Sequence, residues 1–167
     1  MLRRIPWFST LDESMQIVER TSSDDRQKAV SAAQQQLNVV CTGRRSTRVA
    51  LEAATELASN LDATVRVIVL RAVPYPLPLE DPPVPTTFDR ERMLPFVEKS
   101  SRGVTLLICY CRDQAEGLLQ LLESDQSIVV MAGKKRRWFP TKAQRLAGRL
   151  EEAGHAVVFV HSGQNHA

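Results

Sequence analysis

Five short apolar runs alternate with amphipathic stretches along most of this chain, and that rhythm restricts the fold more than any other feature. The runs are residues 37–41, 64–70, 104–110, 127–132 and 156–160, rich in Val, Ile and Leu. Near-continuous apolar runs of this length suit strands buried on both faces, as in a parallel sheet. Between them, apolar residues recur at helical spacing. Ala50, Ala53, Ala54, Leu57, Ala58 and Leu61 form one stripe; Ala115, Leu118, Leu119 and Leu122 a second; Ala143, Leu146, Ala147 and Leu150 a third. Ser46 or Thr47 is placed to cap the first of these helices, Asp113 to cap the second, and Gly154 to end the last. Strands alternating with helices through right-handed crossovers predict an open, doubly wound α/β fold. Its five-stranded parallel sheet should carry helices on both faces.

Two segments break the rhythm. Seven of the nine prolines fall within residues 73–95. Proline fixes φ and removes a donor, so this insertion reads as a stiff extended arm with a short helix from Asp89 to Lys99. Tyr75, Leu77 and Leu79 give the arm apolar anchors. Residues 1–36 read as an N-terminal extension, partly helical over Arg26 to Gln36 after the start signal Ser22-Ser23-Asp24-Asp25. The main domain then spans 37–163, and 164–167 form a short tail.

Hydrophobic residues make up 43% and charged residues 25%, the balance of a globular protein in water. No apolar stretch approaches the ~20 residues that span a bilayer. Trp7 and Phe8 beside Arg3 and Arg4 are too small an anchor to hold a membrane surface. Asp12 and Glu13 interrupt the start too early for a signal peptide, which leaves a cytoplasmic setting as the expectation. Cys41, Cys109 and Cys111 suit a reducing compartment, and the alternation Cys109-Tyr110-Cys111 puts both sulfurs on one side of a strand. His155, His161 and His166 lie apart from them, so no metal site is expected.

The formal net charge is +3. Lys134, Lys135, Arg136 and Arg137 alone carry that sign, because without these four it would be −1. The run follows a strand ending in Gly133 and precedes Trp138-Phe139-Pro140-Thr141 and a helix start. A glycine, four cations and a helix N-terminus together can hold an anion. Trp138 or Phe139 could stack on a base. A sequence pI of about 9.0 and the small size of the patch argue against nucleic acid as the partner.

The residues from Val39 to Leu51 (Val-Val-Cys-Thr-Gly-Arg-Arg-Ser-Thr-Arg-Val-Ala-Leu), from Ser127 to Gly133, and from Ala156 to Val160 resemble the universal stress protein family. The resemblance covers roughly residues 37–162. It implies the sheet order 3-2-1-4-5, a ligand crevice between the first and fourth strands, and a homodimer formed through the C-terminal edge strand. Nucleotide-binding members continue with Gly-x2-Gly-x9-Gly after the fourth strand. Counted from Gly133, the second and third glycines would fall at Arg136 and Leu146. The family's nucleotide-contacting Asp falls at Thr42. Gly43, Gly133 and the capping Thr47 remain, so the resemblance implies an altered nucleotide site.

That sheet order brings the loop after the first strand, with Arg44 and Arg45, beside the loop after the fourth, at the topological switch point. The candidate ligand site is therefore Thr42, Gly43, Arg44, Arg45, Gly133, Lys134, Lys135, Arg136, Arg137 and Trp138. Its expected ligand is ATP, ADP or another phosphate-bearing small molecule, with no cofactor certain. There is no Gly-x-Ser-x-Gly elbow, no His-Glu-x-x-His and no P-loop. The expected function is a non-catalytic, stress-response or regulatory domain, with weak ATP hydrolysis the one activity left open. The alternative is a protein-interaction module that binds no ligand and acts through the proline arm and the N-terminal extension.

Overall fold

A computed structural model describes residues 15–21, 35–98, 104–122, 128–134, 136 and 138–162. The elements run β1 (Met15–Thr21), β2 (Gln36–Val40), α1 (Arg44–Leu61), β3 (Thr64–Ala72) and α2 (Thr86–Glu98). They continue with β4 (Val104–Cys111), α3 (Gln114–Leu122), β5 (Ile128–Gly133), α4 (Lys142–Glu152) and β6 (Ala156–His161). One sheet holds all six strands in the order β1-β4-β3-β2-β5-β6. Strands β2 to β6 are parallel to one another and stand in the expected 3-2-1-4-5 arrangement.

The sixth strand comes from the N-terminal extension. β1 pairs antiparallel with β4, Met15 opposite Cys111 and Thr21 opposite Thr105. Its sequence, Met-Gln-Ile-Val-Glu-Arg-Thr, has neither a continuous apolar run nor a clean alternation, so nothing in its pattern announces a strand. Gln36, the expected end of that extension's helix, instead opens β2. Residues 26–34 of that expected helix lie outside the described residues.

The parallel strands are buried on both faces because helices cover both. On one face Ala50, Leu51, Ala54 and Ala58 of α1 and Met93 of α2 pack on Val39, Val67, Ile108 and Val130. The three α1 alanines are fully buried, and their small side chains let the helix lie close to the sheet. On the other face Leu118, Leu121 and Leu122 of α3 and Ala147 and Leu150 of α4 pack on Val40, Ile68, Cys109 and Met131. Cys109 and Cys111 share this second face while Tyr110 belongs to the first, as their alternation requires. The Cys109 thiol is held far above the ordinary thiol range by its hydrogen bond with the Cys111 sulfur and by burial.

Local signals set the helix ends. Asp113 Oδ1 accepts from the Ala115 and Glu116 amides at 2.9 Å, the expected cap of α3. Gly154 follows α4 with φ +91°, a conformation that glycine adopts without steric cost. α1 departs from expectation. It begins at Arg44 with Gly43 at the N-cap, so neither Ser46 nor Thr47 caps it. Thr47 lies inside the first turn, fully buried, and its hydroxyl donates to Cys41 Sγ at 3.1 Å.

The proline arm is fastened to the domain. Arg112, immediately after β4, donates from Nη1 to the Val73 carbonyl at 3.0 Å and to the Leu77 carbonyl at 2.8 Å. Its guanidinium also stacks 4.2 Å above the Tyr75 ring, a cation–π contact. Leu79 is buried beneath. The following helix, α2, is pinned to β3 by Asp89, which is only 1% exposed. Arg71 Nε donates to Asp89 Oδ2 at 2.9 Å, and Arg71 Nη2 donates to Oδ1.

Candidate functional site

All five parallel strands end on one side of the molecule, and the connections leaving them enclose a crevice of about 920 Å³. Its floor is made by the ends of β2 and β3, through Val40, Val69 and Leu70, and by Ala132 near the end of β5. β2 and β5 are neighbours whose chains leave toward opposite faces, α1 to one and α4 to the other. This is the switch point of an open α/β sheet, where the strands stop and the crossovers diverge. The last paired residues of the two strands are Val39 and Val130. Beyond them the Thr42 hydroxyl donates to the Ala132 carbonyl at 2.8 Å and holds the strand ends together.

Of the helices that start at this crevice, α1 and α4 differ in how their ends are closed. α4 is closed by a capping box: Thr141 Oγ1 accepts from the Gln144 amide at 3.3 Å, and Gln144 Oε1 accepts from the Thr141 amide at 2.9 Å. Gln144 also reaches back to the basic loop, where its side chain meets the Arg136 amide and carbonyl at 3.4 Å each. α1 has no side-chain cap. The amides of its first turn are the unsatisfied donors of a helix N-terminus, with roughly half a positive charge. Gly43, Arg44 and Ser46 of this turn line the crevice.

Among the described residues, nine cationic side chains line the crevice against two carboxylates. Three of the nine are engaged. Arg71 is paired with Asp89, Arg112 is bound to the arm, and Arg149 faces Asp113 at 3.8 Å. The last pair is solvent-exposed and contributes little to stability. Arg44, Arg92, Lys134, Arg136, Lys142 and Arg145 have no carboxylate partner among the described residues. Asp89 serves Arg71, and Asp113 serves the α3 cap. Neither acid is left to neutralise the remainder.

Of the residues expected at the site, Thr42, Gly43, Arg44, Gly133, Lys134 and Arg136 line the crevice. Arg44 and Arg45 are helical residues of the first turn of α1 rather than loop residues. Arg45 is exposed outside the lining. Trp138 and Phe139, 87% and 79% exposed, stand outside it too and do not anchor α4 on the sheet. Lys135 and Arg137 lie outside the described residues. Gly133 has a packing role: a Cβ there would come within 3.0 Å of Phe159 Cζ and 3.3 Å of Ala143 Cβ.

Six lining cations were not anticipated: Arg71, Arg92, Arg112, Lys142, Arg145 and Arg149. A signal existed for half of them. Lys142, Arg145 and Arg149 follow the i, i+3, i+7 spacing of one helix face. Arg71 and Arg112 stand at the ends of β3 and β4, which become crevice positions once the sheet order is known. Arg92 had no comparable signal, because α2 follows an irregular arm.

No protein-family model matches the chain, and no curated protein matches it. Solved structures do. A universal stress protein from Archaeoglobus fulgidus superposes with a TM-score of 0.57 at 12% identity, covering 75% of this chain and 92% of that one. A universal stress protein solved in complex with cAMP gives 0.56 at 16% identity, covering 79% of this chain and all of the other. A protein of the universal stress protein family from Burkholderia pseudomallei gives 0.54 at 17%, covering 78% and 98%. The chain shares the α/β fold of these universal stress proteins.

Proposed function

We propose that this chain is a non-catalytic, universal-stress-protein-like regulatory domain that holds a phosphate-bearing anion, of the class of ATP or ADP, in the basic crevice beyond β2 and β5. The observation that carries this reading is the set of six cations, without a carboxylate partner among the described residues, that line the same crevice as the uncapped start of α1. Like charges crowded into one crevice repel, and an anion relieves that repulsion. In this reading side-chain cations take the place of the backbone cradle that glycines would form. The structural neighbour in complex with cAMP supports a small phosphate-bearing ligand for this fold. Binding rather than catalysis is favoured because both carboxylates of the crevice already have partners.

Calorimetry with ATP and ADP on protein purified without nucleotide tests the proposal. Heat is expected from the native chain and its loss from the double variant Arg136→Glu, Arg145→Glu. Arg48→Glu serves as control, since Arg48 is exposed on α1 outside the crevice and pairs with Glu52 at 3.7 Å. Flat titrations of the native chain, or equal heats from the double variant, overturn the proposal.

The arm supports a second reading. Tyr75, Leu77, Val84 and Phe88 are large apolar side chains left exposed on or just after it. They suit a protein-interaction module, with the ordered arm as its recognition surface. Flat phosphate titrations would favour this reading over the first.

A further inference from the structure

The lining of the crevice restricts its ligand beyond sign of charge. Resting on the anion-binding reading above, we infer that the crevice selects a small molecule carrying three or more clustered phosphate groups and reads no nucleobase.

The first support is charge matching. Arg44, Arg92, Lys134, Arg136, Lys142 and Arg145 line one crevice without carboxylate partners among the described residues. A phosphate monoester carries roughly −1.5 to −2 charges at neutral pH. One such group engages two or three of these cations and leaves the rest facing each other. Matching six takes about three phosphates, and the open α1 amides add further donors in the same crevice.

The second support is what the crevice lacks. Among the described residues no Phe, Tyr or Trp lines it, so they offer no aromatic platform for a base to stack on. Neutral polar groups that could read a base edge are mostly committed elsewhere. Thr42 is bonded to the Ala132 carbonyl, Thr141 is in the α4 cap, and the Gln114 amide donates to the Leu70 carbonyl at 3.1 Å. Asp89 and Asp113, which could accept from an exocyclic amine, are occupied by Arg71 and by the α3 amides. What remains beside the cations is mainly aliphatic, Val40, Val69 and Leu70 among it, and offers a base no directional contact.

A ligand series on the full chain tests this by calorimetry: adenosine, orthophosphate, cyclic AMP, ATP, tripolyphosphate, inositol hexakisphosphate and a ten-nucleotide single strand. ATP and tripolyphosphate should bind within threefold of each other. Inositol hexakisphosphate should bind at least tenfold tighter than either, and adenosine and orthophosphate should give no measurable heat. Arg92→Ala should weaken tripolyphosphate at least threefold while leaving the thermal midpoint unchanged. ATP binding tenfold tighter than tripolyphosphate, or cyclic AMP matching ATP, overturns this inference while leaving an anion site in place. A single strand that outcompetes tripolyphosphate overturns it in favour of an extended backbone ligand. Silence from every phosphate defeats the anion-binding reading itself.

Discussion

The Thr42 hydroxyl donates to the Ala132 carbonyl at 2.8 Å and closes the fork between β2 and β5 just past their last paired residues. The resemblance to universal stress proteins puts an Asp at this position. A carboxylate has no proton to give a carbonyl at neutral pH, so threonine here is a fastener as well as a departure. Thr42→Val should lower stability by about 0.5–1.5 kcal/mol, the net worth of one such bond. A urea midpoint shift with unchanged slope is the expected signature, and an unchanged midpoint would deny the hydroxyl this role.

Gly133 makes a related point at the end of β5. The space for its missing Cβ is taken by Phe159 of β6 and Ala143 of α4. Gly133→Ala should therefore destabilise by overpacking, about 1–3 kcal/mol. Phe159→Leu in the same chain should recover part of the loss. A neutral Gly133→Ala would instead favour a ligand-facing role for this glycine.

The Arg71–Asp89 pair fixes where α2 returns to the sheet after the arm. Asp89 is 1% exposed, so Arg71→Met leaves a buried carboxylate without its counter-ion. Removing one partner of a buried pair typically costs about 3–5 kcal/mol. Chemical denaturation of Arg71→Met should show a loss in that range. The double change Arg71→Met, Asp89→Leu should recover much of it.

β6 ends the sheet with an alternating pattern in which Val158 is exposed. An open edge strand invites pairing with a second copy. If the chain dimerises through β6, Val158→Lys should shift its sedimentation from dimer toward monomer without changing its circular dichroism. A native chain that sediments as a monomer, or a variant dimer, argues against this edge.

Much of the fold was legible because periodicity is a property of adjacent residues. The strand runs and the alanine and leucine stripes could be read directly from spacing, as could the Asp113 cap and the Gly154 stop. β1 could not, because its seven residues pair with β4 across more than eighty residues of chain and show no pattern of their own. The site was half legible for the same reason. Gly133 to Arg136 is a local signal. Arg71, Arg112 and Arg92 meet the crevice only through tertiary structure.

Under the proposed anion-binding function the anion sits at the open start of α1 rather than at the capped start of α4, and backbone amide shifts resolve those two positions. Tripolyphosphate titrated into labelled protein should move the amide resonances of Gly43, Arg44, Arg45 and Ser46 most, with Lys134 and Arg136 following at the same midpoint. The capped amides of Thr141 and Gln144 should move less. Shifts that concentrate at the start of α4, or that leave the first turn of α1 unmoved at saturation, would contradict the account.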